Sequence, residues 1–380
     1  MLAGNSFIRC CGDFTDARSP VKLAAMRECL STSVPNQLRL RVKMSIGGSA
    51  SKITEDIICD TADEFIQALL PGGRGWLAQD FDTGLFRGVG DVAEFQLVPS
   101  ALRHDKRDQD RLWRLSHRGP QDRGTFLDNE ACQINAERTV LKRFFVLADQ
   151  QGLQLPSDDS HFREDFYLPL SGYAEESLLS VCGWLPQPYE AVAGLAQHYG
   201  LPTRLLDWSR SPLVSAYFAA TSGNSLIAKS PDAFMAVWST STSLLWSCAG
   251  AQGQTPKMPL RVITPPYAGN PNLAAQQGVF THWHVDYNEA MKPKFIVGVA
   301  NPSISFVAVD RRPLDELIAS SLNSSSTFRT LGTPVFRRTL APVKLARDVL
   351  RQLDRHQINA ARLFPGYTGV VLAMDSESLG

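Results

Sequence analysis

From residue 53 onward the order of apolar and polar positions is regular enough to predict elements. Residues 60–70 (DTADEFIQALL) bring Ala62, Phe65, Ile66, Leu69 and Leu70 to one face of a helix, with Thr61 as its cap and Gly72, Gly73 and Gly75 as its stop. Residues 85–88 predict a short strand ended by Gly88. Residues 129–151 predict a helix whose face carries Ile134, Leu141, Phe144, Phe145 and Ala148, with the Phe pair in the core. A third helix covers 188–199 with Gly200 as its C-cap. Ser211-Pro212 starts a fourth, almost wholly apolar over 213–220 and therefore expected to be buried. Runs of Val, Ile and aromatic residues predict strands over 233–239, 294–300 and 369–374, and 342–355 reads as an amphipathic helix. Residues 103–125 read as loop or solvated helix, and 239–257 and 319–327 as Ser/Gly/Thr-rich loops. Strands alternating with helices and no internal repeat predict a mixed α/β (α+β) fold, a single large domain with a central mixed sheet over 53–380.

Residues 1–52 break this pattern. No period there outlasts a turn or two, and Met44 opens a Ser- and Gly-containing run that reads like a second start site. The expectation is a flexible arm or an over-extended N-terminus.

Composition narrows the function. The chain of 380 residues balances 38 Lys+Arg against 38 Asp+Glu, which argues against bulk nucleic-acid binding by counterion release. Lys and Arg are locally dense over 103–123, interspersed with Asp, a solvated surface or a contact patch for a polyanion. No apolar run approaches the ~20 residues of a membrane helix, so no membrane partner is expected. The seven Cys are scattered with no C-x-x-C pair, and no basic stretch followed by an apolar one opens the chain. Reduced thiols and a cytoplasmic location are the expectation.

Chemistry concentrates in residues 197–208 (QHYGLPTRLLDW). Within twelve residues lie the imidazole of His198, the guanidinium of Arg204, the carboxylate of Asp207, the hydroxyl of Thr203 and the rings of Tyr199 and Trp208. Gly200 and Pro202 make a stiff turn, and Thr203, Leu205 and Asp207 would share one face of the extended segment after it. Two readings stand side by side: a site on a firm scaffold, or a buried structural network in which Arg204 pairs with Asp207. His282 and His284 have the spacing of two metal ligands on a strand, but no third ligand lies near in sequence; exposed strand histidines, and no metal, are expected. No Gly-x-Ser-x-Gly elbow and no G-x-G-x-x-G loop occurs, so neither a serine hydrolase nor a Rossmann dinucleotide site is indicated.

Phe86-Arg87-Gly88, the QHYGLPTRLLDW block, Ser211-Pro212-Leu213, Tyr217-Phe218-Ala219, Gln276-Gln277-Gly278-Val279-Phe280 and Leu363-Phe364-Pro365 with Gly369 follow one another in an order that resembles the FRG domain family, named for its Phe-Arg-Gly motif. The chain departs from the family at Asn270-Pro271-Asn272, where the family usually has Asn-x-Arg. The order also resembles the Arg, Ser/Thr and Glu elements of ADP-ribosyltransferases, by analogy of fold. That resemblance implies an ADP-ribosyltransferase-like or NAD-cleaving effector, as in a toxin or phage defence, with NAD as substrate and an unknown macromolecular acceptor. It implies that Arg87 binds the diphosphate, that Thr203 and Arg204 position the ribose and that Tyr199 or Trp208 stacks on the nicotinamide. His198 would assist binding or proton transfer, Asp207 would orient Arg204, and Gln277 would sit where the ribose reacts. The alternative is a non-catalytic ligand- or partner-sensing module, favoured by Gln where a transferase has Glu.

Overall fold

The computed structural model describes residues 53–77, 83–94, 96–104, 106–116, 128–156, 160–167, 183–250, 259–292, 294–296, 303–305, 307–323 and 334–377, apart from a few side chains. All lie in one compact unit, 48–380. The arm expected over 1–52 lies outside these residues.

The strands are β1 Thr54–Ile58, β2 Gly84–Val89, β3 Leu206–Ser209, β4 Phe234–Ser241, β5 Leu260–Ile263, β6 Gly278–Trp283, β7 Lys294–Ile296, β8 Ser303–Ser305 and β9 Phe336–Pro342. Seven of them form a mixed sheet in the order β1-β9-β4-β2-β3-β6-β5, and β7 pairs with β8. The mixed α/β class is as expected. Only β1 and β9 run parallel in the large sheet. Their register sets Glu55 opposite Arg337 and Asp56 opposite Arg338, and both pairs close as ion pairs at 2.7 and 2.6 Å.

Helices α1 Ala62–Leu69, α2 Lys106–Leu115, α3 Glu130–Gln150, α4 Ser160–Tyr167, α5 Gln187–His198, α6 Pro212–Asn224, α7 Thr242–Gly250, α8 Pro271–Ala275, α9 Tyr287–Met291, α10 Leu314–Asn323, α11 Ala346–Arg355, α12 Ala360–Leu363 and α13 Tyr367–Glu377 flank the sheets. The caps read from the sequence are in place. Thr61 Oγ1 accepts from Glu64 N at 3.1 Å, and Ser211 Oγ from Val214 N at 3.4 Å with Pro212 in the first turn. Gly200 ends α5 with a φ of +78°, the left-handed backbone a helix stop requires.

Among the described residues two large apolar clusters cover the large sheet, one on each half. Phe65, Ile66 and Leu69 of α1, Ala216 and Ala219 of α6 and Val349 of α11 close over Phe86, Met235, Val237 and Ala341 of β2, β4 and β9. Ile134, Leu141 and Phe145 of α3 and Tyr189, Val192 and Ala196 of α5 close over Ile263 and Phe280 of β5 and β6. Each buried large side chain stabilises by roughly 1.5–3 kcal/mol, so the halves are separately anchored.

Five expectations need correction. The strand expected over 369–374 is helical: Val370 N donates back to Gly366 O, and Val370 and Val371 stay exposed. Strand propensity depends on a pairing partner, and local hydrogen bonds win where none is at hand. The loop expected from 239 is strand to Ser241 and then α7, while 251–258 lie outside the described residues. The loop expected from 319 is still α10 to Asn323. The helix expected to start at 342 starts at Ala346, because Pro342 ends β9 and Val343–Leu345 form a 3-10 turn. Within 103–125, α2 is helical but not wholly solvated, for Leu112 and Trp113 pack on Ala136 and Val140 of α3. Only 294–296 of the strand expected over 294–300 is described.

Candidate functional site

The site begins with a fault in the sheet. A single Cα pair, Phe86 with Ser209, relates β2 to β3. Beyond it β2 stays on β4 and β3 stays on β6, so the two strands part. The Arg87 guanidinium occupies the parting: Nη1 donates to the Asp207 carbonyl at 2.8 Å and meets the Asp207 carboxylate at 2.6 Å. A side chain thus takes the carbonyl that a ladder N–H would otherwise satisfy.

The three residues of the Phe86-Arg87-Gly88 motif divide the work. Phe86 is buried in the first cluster, and Trp76 meets its ring edge-on at 5.0 Å. Arg87 joins the strands. Gly88 lets α6 sit on the sheet, because a Cβ there would stand 1.9 Å from Ser215 O, far inside any real contact.

A cavity of about 300 Å³ opens at the parting, at the lower end of the ~300–1,000 Å³ of small-molecule sites. Arg87, Asp207, Trp208 and Ser209 line its strand side, Gln197 and His198 the end of α5, and Ser215 and Phe218 one wall of α6. Leu273, Gln276, Gly278, Phe280 and Phe364 close it from α8, β6 and the end of α12. Asp207 is the one carboxylate among these residues, and its side chain is 60 % exposed. Desolvation acts to raise its pKa, but the Arg87 charge and hydrogen bond outweigh that and hold the carboxyl below its ordinary value, ionised at neutral pH. Gln197 fixes it further: Nε2 donates to Asp207 Oδ1 at 3.1 Å while Oε1 accepts from the Thr203 hydroxyl at 2.5 Å. Burial pushes the His198 imidazole down, so it is neutral near pH 7, and no described residue hydrogen-bonds its ring. The cavity therefore offers an ionised carboxylate, a neutral imidazole, a guanidinium tied to Asp207 through Nη1 and an aromatic lining.

The expected residues divide in two. Arg87, His198, Asp207 and Trp208 meet at the cavity. Trp208 is buried, with its indole N–H on Thr281 Oγ1 at 2.9 Å and its ring stacked on Phe336 at 6.4 Å, so it is wall rather than a free stacking face. Thr203 supports from behind through Gln197.

Arg204, Tyr199 and Gln277 stand elsewhere. Arg204 does not pair with Asp207. It is 4 % exposed and binds two acids of α3: Nε and Nη2 reach Glu137 at 3.0 Å, and Nη1 meets Glu130 at 2.6 Å. Glu137 also accepts from the Trp184 indole at 2.7 Å and from Gln133 at 2.8 Å. Burial raises the Glu130 carboxyl against the opposing pull of Arg204. This is the buried network, and it exists beside the site rather than in place of it. Tyr199 points out, 64 % exposed, with its ring edge-on to His198 at 5.5 Å. Gln277 takes a left-handed φ of +50°, and its neighbour Gln276 lines the cavity instead. Gln276 is held there by Nε2 donating to Leu363 O at 3.1 Å, a partner 87 residues away that spacing could not announce.

His282 is buried, not exposed on its strand: at 1 % exposure neither ring nitrogen has a partner, and burial pushes its pKa well down. Among the described residues no cluster of three or more His, Cys, Asp or Glu could hold a metal ion, and no helix is long and apolar enough to cross a membrane.

The FRG domain family model matches residues 82–226, a span that holds β2, the central block and α6 but ends before the Gln276, Phe280 and Phe364 side of the cavity. No curated protein and no solved structure matches the chain significantly. The matched span contains both the Phe86-Arg87-Gly88 strand and the 197–208 block that builds the cavity beside it, and the chain thus carries a domain of the FRG family.

Proposed function

We propose that the cavity receives the nicotinamide riboside part of NAD and that the protein acts at the ribose C1′, as an ADP-ribosyltransferase-like or NAD-cleaving effector. One observation carries this reading: an ionised carboxylate, locked in place by Arg87 and Gln197, stands at the mouth of an aromatic-lined cavity of ring-and-sugar size. The bond from C1′ to the nicotinamide nitrogen breaks with its electron pair going to nicotinamide, which leaves neutral. The Asp207 carboxylate opposes the oxocarbenium charge that develops on the ribose. Water or an acceptor nucleophile then bonds to C1′, and the neutral His198 imidazole takes the proton released. Asp207 thereby fills the role a transferase gives to Glu. Arg87 serves as its positioning residue and not as the diphosphate ligand, and Gln276 stands where Gln277 was expected.

Purified protein incubated with NAD should release nicotinamide, and Asp207→Asn should reduce the rate at least a hundredfold without unfolding. Absence of both nicotinamide release and label transfer from NAD to protein or nucleic acid would sink the reading. A toxin or phage-defence role follows only with activity, and predicts growth arrest with falling cellular NAD on expression. The second reading, a non-catalytic sensing module, is favoured by the mutual neutralisation of Arg87 and Asp207; it predicts ligand binding with no turnover.

A further inference from the structure

A ligand larger than one ring and one sugar must leave the rest of itself outside the cavity. A dinucleotide would hold its diphosphate at the mouth, which the exposed Asp207 marks. Arg87 is poorly placed for that diphosphate, being nearly buried and tied to Asp207 through Nη1. Three side chains near the cavity-lining His198 and Asp207 are better placed. The turn at Gly200 brings the end of α5 against α2, so that a Cβ at Gly200 would lie 3.7 Å from Arg111 Nη1. Arg111 is half-buried, and no described residue accepts a hydrogen bond from it or pairs with it. Arg103 is tethered by Val98 O at 3.2 Å and Asp108 at 3.3 Å, and its charge adds to the lowering of the Asp207 carboxyl. Tyr199, the residue after the cavity-lining His198, turns its ring outward.

We propose that Arg111, with Arg103 and the exposed ring of Tyr199, forms an anion subsite at the mouth that takes the diphosphate of a pyridine dinucleotide. The assignment rests on the NAD reading above and deepens it. A guanidinium with an uncommitted planar fork grips a diphosphate bidentately. Two guanidiniums at one lip also favour phosphorylated over unphosphorylated ligands through their field alone. The locally basic run of 103–123 then has a purpose at α2: a docking edge for a small phosphate ester.

The test compares NAD with nicotinamide riboside, which lacks the phosphates. Arg111→Gln should raise KM for NAD about tenfold, as one lost charge-assisted hydrogen bond requires, with kcat unchanged. Cleavage of nicotinamide riboside should not change. An unaltered KM for NAD, or equal losses on both substrates, overturns the subsite. If the wild-type protein turns over neither substrate, the NAD reading has failed and the subsite is judged by calorimetric titration with ADP at low salt. Binding by the wild type that is lost in Arg111→Gln keeps it; equal binding, or none by either protein, removes it.

Discussion

Replacing Arg204 by Leu removes the guanidinium that pairs directly with both Glu130 and Glu137, at 5 % and 3 % side-chain exposure. Two carboxylates would then face each other in the interior without their direct ion-pair partner. Breaking a buried ion pair from one side costs about 3–5 kcal/mol, a large part of the roughly 5–15 kcal/mol that holds a domain folded. With a urea dependence near the upper end of about 1–3 kcal/mol per molar, the unfolding midpoint should fall by roughly 1–2 M. Fluorescence is a direct probe, because the Trp184 indole donates to Glu137. Adding Glu130→Leu and Glu137→Gln should restore most of the loss, since both carboxylates left without Arg204 are gone and the amide oxygen at 137 can still accept from one of its two donors, Trp184 or Gln133. A single-variant shift under about 0.3 M, or a triple variant no more stable than the single, would refute this account of the network. Below the transition, Arg204→Leu should leave KM for any cavity ligand unaltered, which separates it from a ribose-positioning residue.

Gly88→Ala should destabilise by about 1–3 kcal/mol or more, because the added carbon meets a helix backbone carbonyl that cannot swing aside; thermal unfolding checks this. Acid should weaken the fold through His282, whose folded pKa is depressed while the unfolded value is about 6.5. Above that pH both states are neutral and nothing changes; as pH falls below it only the unfolded chain gains the proton, so stability drops by up to about 1.4 kcal/mol per pH unit for each such group. His282→Leu should flatten that slope, and an unaltered slope in urea titrations at several pH values would exclude His282 as its source. Burial raises the Cys59 thiol to about 12 and the Cys248 thiol to about 11. Both should resist alkylation in the native protein at pH 8 and react on unfolding, as read by mass spectrometry.

Local signals carried much of the fold. Thr61, Ser211-Pro212 and Gly200 each act within one turn of their own position, and each stands in the structure where its chemistry placed it. The candidate site was legible as a block but not in its pairings. Arg204 and Asp207 are three residues apart, yet each finds its partner elsewhere: Arg204 on Glu137, 67 residues upstream, and Asp207 on Arg87, 120 residues upstream. Such pairings follow from which strands and helices are packed together, a property of the assembled fold rather than of spacing along the chain. The exchange of Gln277 for Gln276 has the same origin at smaller scale, since one left-handed residue before β6 changes which side chain faces the cavity. The helix α13 was misread because Val370 and Val371 are good strand residues only where a neighbouring strand receives them.

The parting of β2 from β3 also has a mechanical meaning. Elsewhere in the large sheet, neighbouring strands share ladders of four or more Cα pairs, a stiff seam. Across this joint there is one pair and one guanidinium. The spacing of the two half-sheets is thus gauged by the length and rotamer of Arg87, and a shorter cation at that position would reset the width of the cleft for every ligand at once.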